Sequence, residues 1–139
     1  RIPGKSKEEI ICATTQVIAS KLSVDSEVLA ELLLDREQLM PTALNSGIAV
    51  PHTRDFLIPS GFDLVVIVYP EEPIAYGALD GNDVHTLFFL FACSDKRHLF
   101  LLAKLAHLCS NEAALNFFRT KPDKKSVLEY VKQWESHAR

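Results

Sequence analysis

Gly47-Ile48-Ala49-Val50-Pro51-His52-Thr53-Arg54-Asp55 is the stretch on which the reading of this chain turns. Ile48 to Val50 is a short apolar run of the kind that ends a buried strand. Pro51 stops it, because proline brings no amide hydrogen to a ladder and its ring fixes φ. His52 is therefore expected just past a strand end, on stiffened backbone, with Arg54 two residues on. A nucleophile beside a cation that can hold an anion makes a candidate phosphate-handling site. The alternative is a surface histidine in a loop, although loops on a rigid scaffold carry function disproportionately.

Toward the C-terminus, Asp55 to Gly61 reads as a loop broken by Pro59 and Gly61. Leu64-Val65-Val66-Ile67-Val68-Tyr69 follows, short, β-branched and apolar throughout. It is expected to be a central strand with both faces covered. Pro70 and Pro73 close it, and Ile74-Ala75-Tyr76 reads as a short edge strand. Asp80-Gly81-Asn82-Asp83 is a turn signal ahead of a second buried strand, Val84 to Ala92. Ser94-Asp95 can cap a helix whose apolar side carries Leu99, Leu102, Leu105, Ala106 and Cys109. Ser110 or Asn111 caps a short helix through Phe118. Pro122-Asp123 opens a last one, with Val127, Leu128, Val131 and Trp134 on its apolar side.

Toward the N-terminus, Ser6-Lys7-Glu8-Glu9 has the capping-box pattern at the head of a helix from about Lys7 to Lys21. Ile10, Ala13 or Thr14, Val17, Ile18 and Leu22 give it helical spacing. Asp25 or Ser26 caps a second helix, with Val28, Leu29, Leu32 and Leu33 on its apolar face, ending near Arg36-Glu37. Pro41 and Asn45-Ser46-Gly47 mark the irregular lead into the opening stretch. Buried strands alternating with helices predict an α/β layered fold, a small sheet with helices on both faces. Pattern alone gives it three or four strands.

A chain of 139 residues is one domain by the length prior and long enough to bury an ordinary core. Its composition is that of a globular protein, 47% hydrophobic and 24% charged. A net charge of −3 argues against a nucleic-acid or anionic-membrane surface, although Lys121, Lys124 and Lys125 lie close together. Cys12, Cys93 and Cys109 lack C-x-x-C spacing and are embedded in apolar segments. They are expected to be reduced, buried thiols of a cytoplasmic protein. No run approaches the length of a membrane span, so no direct membrane insertion is expected. The sequence begins at Arg1 rather than Met, so an N-terminal segment, with room for a further domain, is expected to precede residues 1–139.

Several stretches together resemble the enzyme IIA domain of the bacterial phosphoenolpyruvate-dependent phosphotransferase system, of the fructose, mannitol and nitrogen-regulatory (PtsN-like) type. They are Asp35-Arg36-Glu37 followed by Pro41-Thr42, and Gly47-Ile48-Ala49-Val50-Pro51-His52. Asp80-Gly81 ahead of Val84 and the Phe-rich strand, and His98-Leu99 opening a helix with Leu102 and Leu105, complete the match. Order and spacing hold over nearly the whole chain. The resemblance implies a mixed sheet of about five strands flanked by helices on both faces. It implies that His52 is the phosphorylated histidine, that His98 is the second active-site histidine, and that Arg36 lies near the phosphate. It also implies a donor, an HPr-like phosphocarrier, and an acceptor, either a IIB cysteine in sugar-transport members or a regulatory target protein. No cofactor or metal is implied.

The chemistry fits those residue types. A relay needs a nucleophile that is also a good leaving group, which a neutral imidazole with a pKa near ~6.5 provides. Positive groups must surround the transferred oxygens. Arg36 offers a planar fork, and the start of the helix holding His98 offers unsatisfied amides and a favourable dipole. Arg54 could add charge, and Thr42 and Ser46 could donate hydroxyls. His85, His107 and His137 read as structural or solvent-facing. A zinc site from His52, His85, Cys93 and His98 lacks ligand spacing such as H-E-x-x-H, and a Ser46–His52 hydrolase dyad lacks a G-x-S-x-G elbow. With no IIB or membrane segment fused to it, the chain reads as the regulatory rather than the sugar-specific kind.

Overall fold

The computed structural model describes residues 6–22, 25–39, 42–43, 47–52, 64–77, 81–91 and 95–137. Two helices come first, α1 (Lys7–Leu22) and α2 (Ser26–Leu39), followed by three strands, β1 (Ile48–Ala49), β2 (Leu64–Val68) and β3 (Thr86–Phe91). Three helices close the chain: α3 (Asp95–Leu108), α4 (Glu112–Arg119) and α5 (Lys124–His137).

The helix starts are where the cap residues put them. The Glu9 amide donates to the Ser6 hydroxyl at 3.2 Å, and that hydroxyl donates to the Glu9 carboxylate at 3.3 Å. Asp25 rather than Ser26 caps α2, its carboxylate accepting the Glu27 amide at 2.8 Å. The Asn111 side chain accepts the Ala113 amide at 2.8 Å, and Asp123 accepts the Ser126 amide at 2.8 Å. Each satisfies a first-turn donor that a helix cannot satisfy itself. The Ser126 bonds also hold the Asp123 carboxyl below the usual carboxylate range.

β3 is the centre of the sheet. It pairs in parallel with β1, Ile48 opposite Thr86, and antiparallel with β2, Val66 opposite Phe89. Every residue of β3 is buried, and the strand period of two sends its side chains to opposite sides. Leu87, Phe89 and Phe91 pack with Ile10, Ile11, Ile18, Leu29 and Leu33 of α1 and α2. Phe88 and Leu90 pack with Leu108, Cys109, Ala114, Leu115, Phe118 and Val127, from α3 to α5. Two cores on one strand make β3 the element the rest is assembled on. Fully burying each such side chain stabilises by about 1.5–3 kcal/mol.

Several expectations are corrected. The five-strand sheet is a three-strand sheet among the described residues. The Ile74 region is a single antiparallel bridge to Val84, and Pro73, immediately before Ile74, brings no amide hydrogen to extend it on that side. β2 lies at the margin of this sheet rather than at its centre, with Val65 37% exposed. Some apolar side chains expected on buried faces point out: Leu99 on α3, Val17 on α1 and Leu128 on α5. The Cys12 thiol is also exposed, whereas burial pushes the Cys109 thiol up to about 12. On α1 the buried alternative is Thr14, whose hydroxyl donates back to the Ile10 carbonyl at 2.7 Å.

Candidate functional site

The β1–β3 ladder does not end at Pro51. The proline interrupts it, and its carbonyl still accepts the Leu90 amide at 3.0 Å. His52 then forms a parallel bridge to Leu90, in the same register that pairs Ile48 with Thr86. His52 is therefore tied to the central strand rather than carried on a loop. Sites built on strands hold their geometry better than sites on loops.

The His52 ring is half-buried, and its Nδ1 lies 2.7 Å from the Val50 carbonyl oxygen. A carbonyl only accepts, so Nδ1 carries the proton and donates. The lone pair able to attack an electrophile then resides on Nε2.

Val50 is held in turn. Its amide donates to the Thr42 carbonyl at 3.0 Å, and the Thr42 amide donates to the Glu37 carboxylate at 3.1 Å. The Thr42 hydroxyl donates to the other Glu37 oxygen, which also accepts the Tyr76 hydroxyl at 2.8 Å. Lys7 Nζ stands 3.7 Å from Glu37, donates to the Tyr76 carbonyl at 3.4 Å, and lies 4.8 Å from the Tyr76 ring centroid. Burial, then the Glu37 carboxylate, raises the Tyr76 phenol far above its ordinary value, so Tyr76 keeps its proton and acts as a donor.

The candidate residues fall as follows. Arg36 is half-buried in the last turn of α2, one residue before Glu37. His98 is the fourth residue of α3, and its side chain lies outside the described residues. β1 and β3 run in parallel, so both end where His52 sits. α3 begins four residues after β3, a reach of at most about 14 Å. Arg54 and Ser46 lie outside the described residues, as does Cys93. Thr42 is corrected: the hydroxyl expected to face a phosphate is buried and given to Glu37.

His85 is half-buried beneath the segment leading into β1. Its amide donates to the Gly47 carbonyl at 2.8 Å. Gly47 has φ +89°, and a Cβ there would sit 2.5 Å from His85 Cδ2, so both conformation and space select glycine. His107 is exposed and meets Trp134 edge-on at 5.3 Å.

Glu37, Tyr76 and Lys7 escaped the sequence reading. A signal existed: Leu29, Leu33 and Glu37 lie at successive fourth positions of α2, and all three are buried. A carboxylate that continues an apolar stripe needs buried partners.

Similarity to known proteins bears on the same residues. A nitrogen regulatory protein of Pseudomonas aeruginosa is 28% identical over 133 residues, 94% of this chain and 85% of that protein. The crystal structure of nitrogen regulatory protein IIA-Ntr from Neisseria meningitidis superposes with a TM-score of 0.80 at 25% identity, covering 91% of this chain and 88% of that one. Enzyme IIA-mannitol of Escherichia coli, solved in complex with phosphorylated enzyme IIB-mannitol, shares the fold, with a TM-score of 0.73 at 23% identity over 93% of this chain and 88% of that one. The family model for the phosphoenolpyruvate-dependent sugar phosphotransferase system, EIIA 2, matches residues 2–134. By that match the chain belongs to the EIIA 2 family, and it is a phosphotransferase component.

Proposed function

We propose that residues 1–139 form one IIA domain that works as a cytoplasmic phosphohistidine carrier of the nitrogen-regulatory type. It takes a phosphoryl group from an HPr-like phosphocarrier onto Nε2 of His52. The observation that carries this is the 2.7 Å contact from Nδ1 to the Val50 carbonyl, which leaves the lone pair on Nε2 of a strand-anchored ring.

In the step, the N–P bond on the donor's phosphohistidine breaks and its electron pair stays on the donor ring. The Nε2 lone pair of His52 forms the new N–P bond. The Nδ1 proton stays in place, and the Val50 carbonyl stabilises the positive charge that the ring gains. Arg36 pairs with the equatorial oxygens through its planar fork, and His98 at the start of α3 supports the developing charge with the first helix amides. Exposed Leu99 and Phe100 on that helix, 67% and 46% accessible, suit contact with a protein donor better than a small-molecule pocket would. Among the described residues no helix is long and apolar enough to cross a membrane.

Incubation with an HPr-like carrier phosphorylated from phosphoenolpyruvate tests the reading. The expected product is one phosphoryl group per chain, labile in acid and stable in base, as an N-phosphoimidazole is. No incorporation, or an acid-stable ester, would contradict it. Efficient onward transfer to a IIB cysteine, with an S–P bond forming as the N–P bond breaks, would reassign the chain to the sugar-specific kind.

A further inference from the structure

We infer that Glu37, locked by Lys7 and Tyr76, is a positioning residue for His52: it sets the Thr42 peptide that orients Val50, whose carbonyl fixes the tautomer of the reacting imidazole. The inference rests on the phosphocarrier reading for its kinetic consequence, but its geometry stands independently of any phosphate.

Glu37 is 4% exposed, in the last turn of a helix whose remaining buried residues are apolar. A carboxylate taken out of water is costly unless each oxygen is satisfied. Here both are. One accepts two hydroxyls, from Thr42 and Tyr76, and the other accepts the Thr42 amide and faces the Lys7 ammonium. Capping the end of α2 does not explain this arrangement, since the last carbonyls of a helix need donors and a carboxylate only accepts.

The arrangement grips Thr42 at two points, hydroxyl and amide, which fixes the position of this residue. Its carbonyl, on the following peptide, accepts the Val50 amide 3.0 Å away. The Val50 carbonyl in turn receives the His52 Nδ1 proton at 2.7 Å. From Lys7 to His52 the links run through α1, α2 and Thr42, and Tyr76, from the chain after β2, closes the network. As a carboxylate, Glu37 accepts from the amide and both hydroxyls and sets a negative charge against Lys7. A glutamine removes that charge and puts a donor where one oxygen accepts, so the hydroxyls must reverse their roles or turn away.

If the network positions His52, loosening it will admit the other tautomer, with the proton on Nε2 and the attacking lone pair lost. A misplacement of about 1 Å at such a site is worth about a hundredfold in rate. The experiment compares full-length Glu37→Gln, Tyr76→Phe and the parent protein, each checked by circular dichroism for unchanged helix content. The 15N shifts of the His52 ring read the tautomer without phosphate. Single-turnover acceptance from a phosphorylated HPr-like carrier separates kcat from KM.

Glu37→Gln should mix the His52 tautomers and lower kcat tenfold or more, by order of magnitude, with KM unchanged. Tyr76→Phe should move the same nitrogen shifts in the same direction by less. A folded Glu37→Gln protein with parental ring shifts and parental kcat overturns the inference. Should Glu37→Gln not fold, parental shifts in Tyr76→Phe overturn it equally. Altered shifts in variants of a protein that itself accepts no phosphate would sink the carrier reading and leave the positioning intact.

Discussion

His52→Ala takes up no phosphoryl group from a phosphorylated HPr-like carrier, while its folding is nearly unchanged. The two parts of this expected result have different causes. Acceptance depends on one lone pair, on Nε2, and alanine has none. Stability depends on His52 mainly through its backbone, which bridges Leu90 and which alanine retains. The substitution loses the hydrogen bond from Nδ1 to the Val50 carbonyl, which is worth about 1 kcal/mol net. Labelling with phosphate from phosphoenolpyruvate, beside a thermal melt, separates the two. A fully labelled His52→Ala protein would place the acceptor elsewhere.

Phe89→Ala destabilises the chain by about 3–5 kcal/mol. Phe89 lies in the middle of β3, fully buried, opposite Val66 and among the side chains of α1 and α2. Truncation removes the transfer free energy of a ring and leaves a cavity that two helices and a sheet cannot close without breaking their own contacts. Against the ~5–15 kcal/mol that holds a typical domain together, that is a large share. Calorimetry should show the melting temperature falling by roughly 10–20 °C. A fall of a degree or two would mean that β3 is not the strand on which both cores are assembled.

The sequence made much of this legible through local signals. Ser6, Asp25, Asn111 and Asp123 each announce a helix start, because a side-chain acceptor there competes only with water for the first amides. The Phe-rich run of β3 reads as buried on both faces, and it is. What failed depended on neighbours. An all-apolar run such as β2 cannot say whether it lies in the middle of a sheet or at its margin. Among the described residues the sheet has three strands, and Ile74, with Pro73 just before it, makes one bridge and no ladder.

At the site, the histidine after Pro51 was legible from its motif, but its anchorage was not. The bridge to Leu90 pairs residues far apart in sequence, and no local pattern encodes it. Thr42 was noticed for its hydroxyl, whereas its amide and carbonyl are what join Glu37 to Val50. Glu37 sits in plain view beside Arg36, yet a polar residue at a helix end reads as solvated unless its place in the buried stripe is followed.

The central claim is that the relay runs through Nε2 of His52, with Nδ1 kept protonated by the Val50 carbonyl. Phosphorylating 15N-labelled protein and recording 31P–15N coupling tests it most directly. The account predicts phosphorus coupled to Nε2 of His52 and a proton retained on Nδ1. Phosphorus coupled to Nδ1, or to a nitrogen of any other residue, would contradict it.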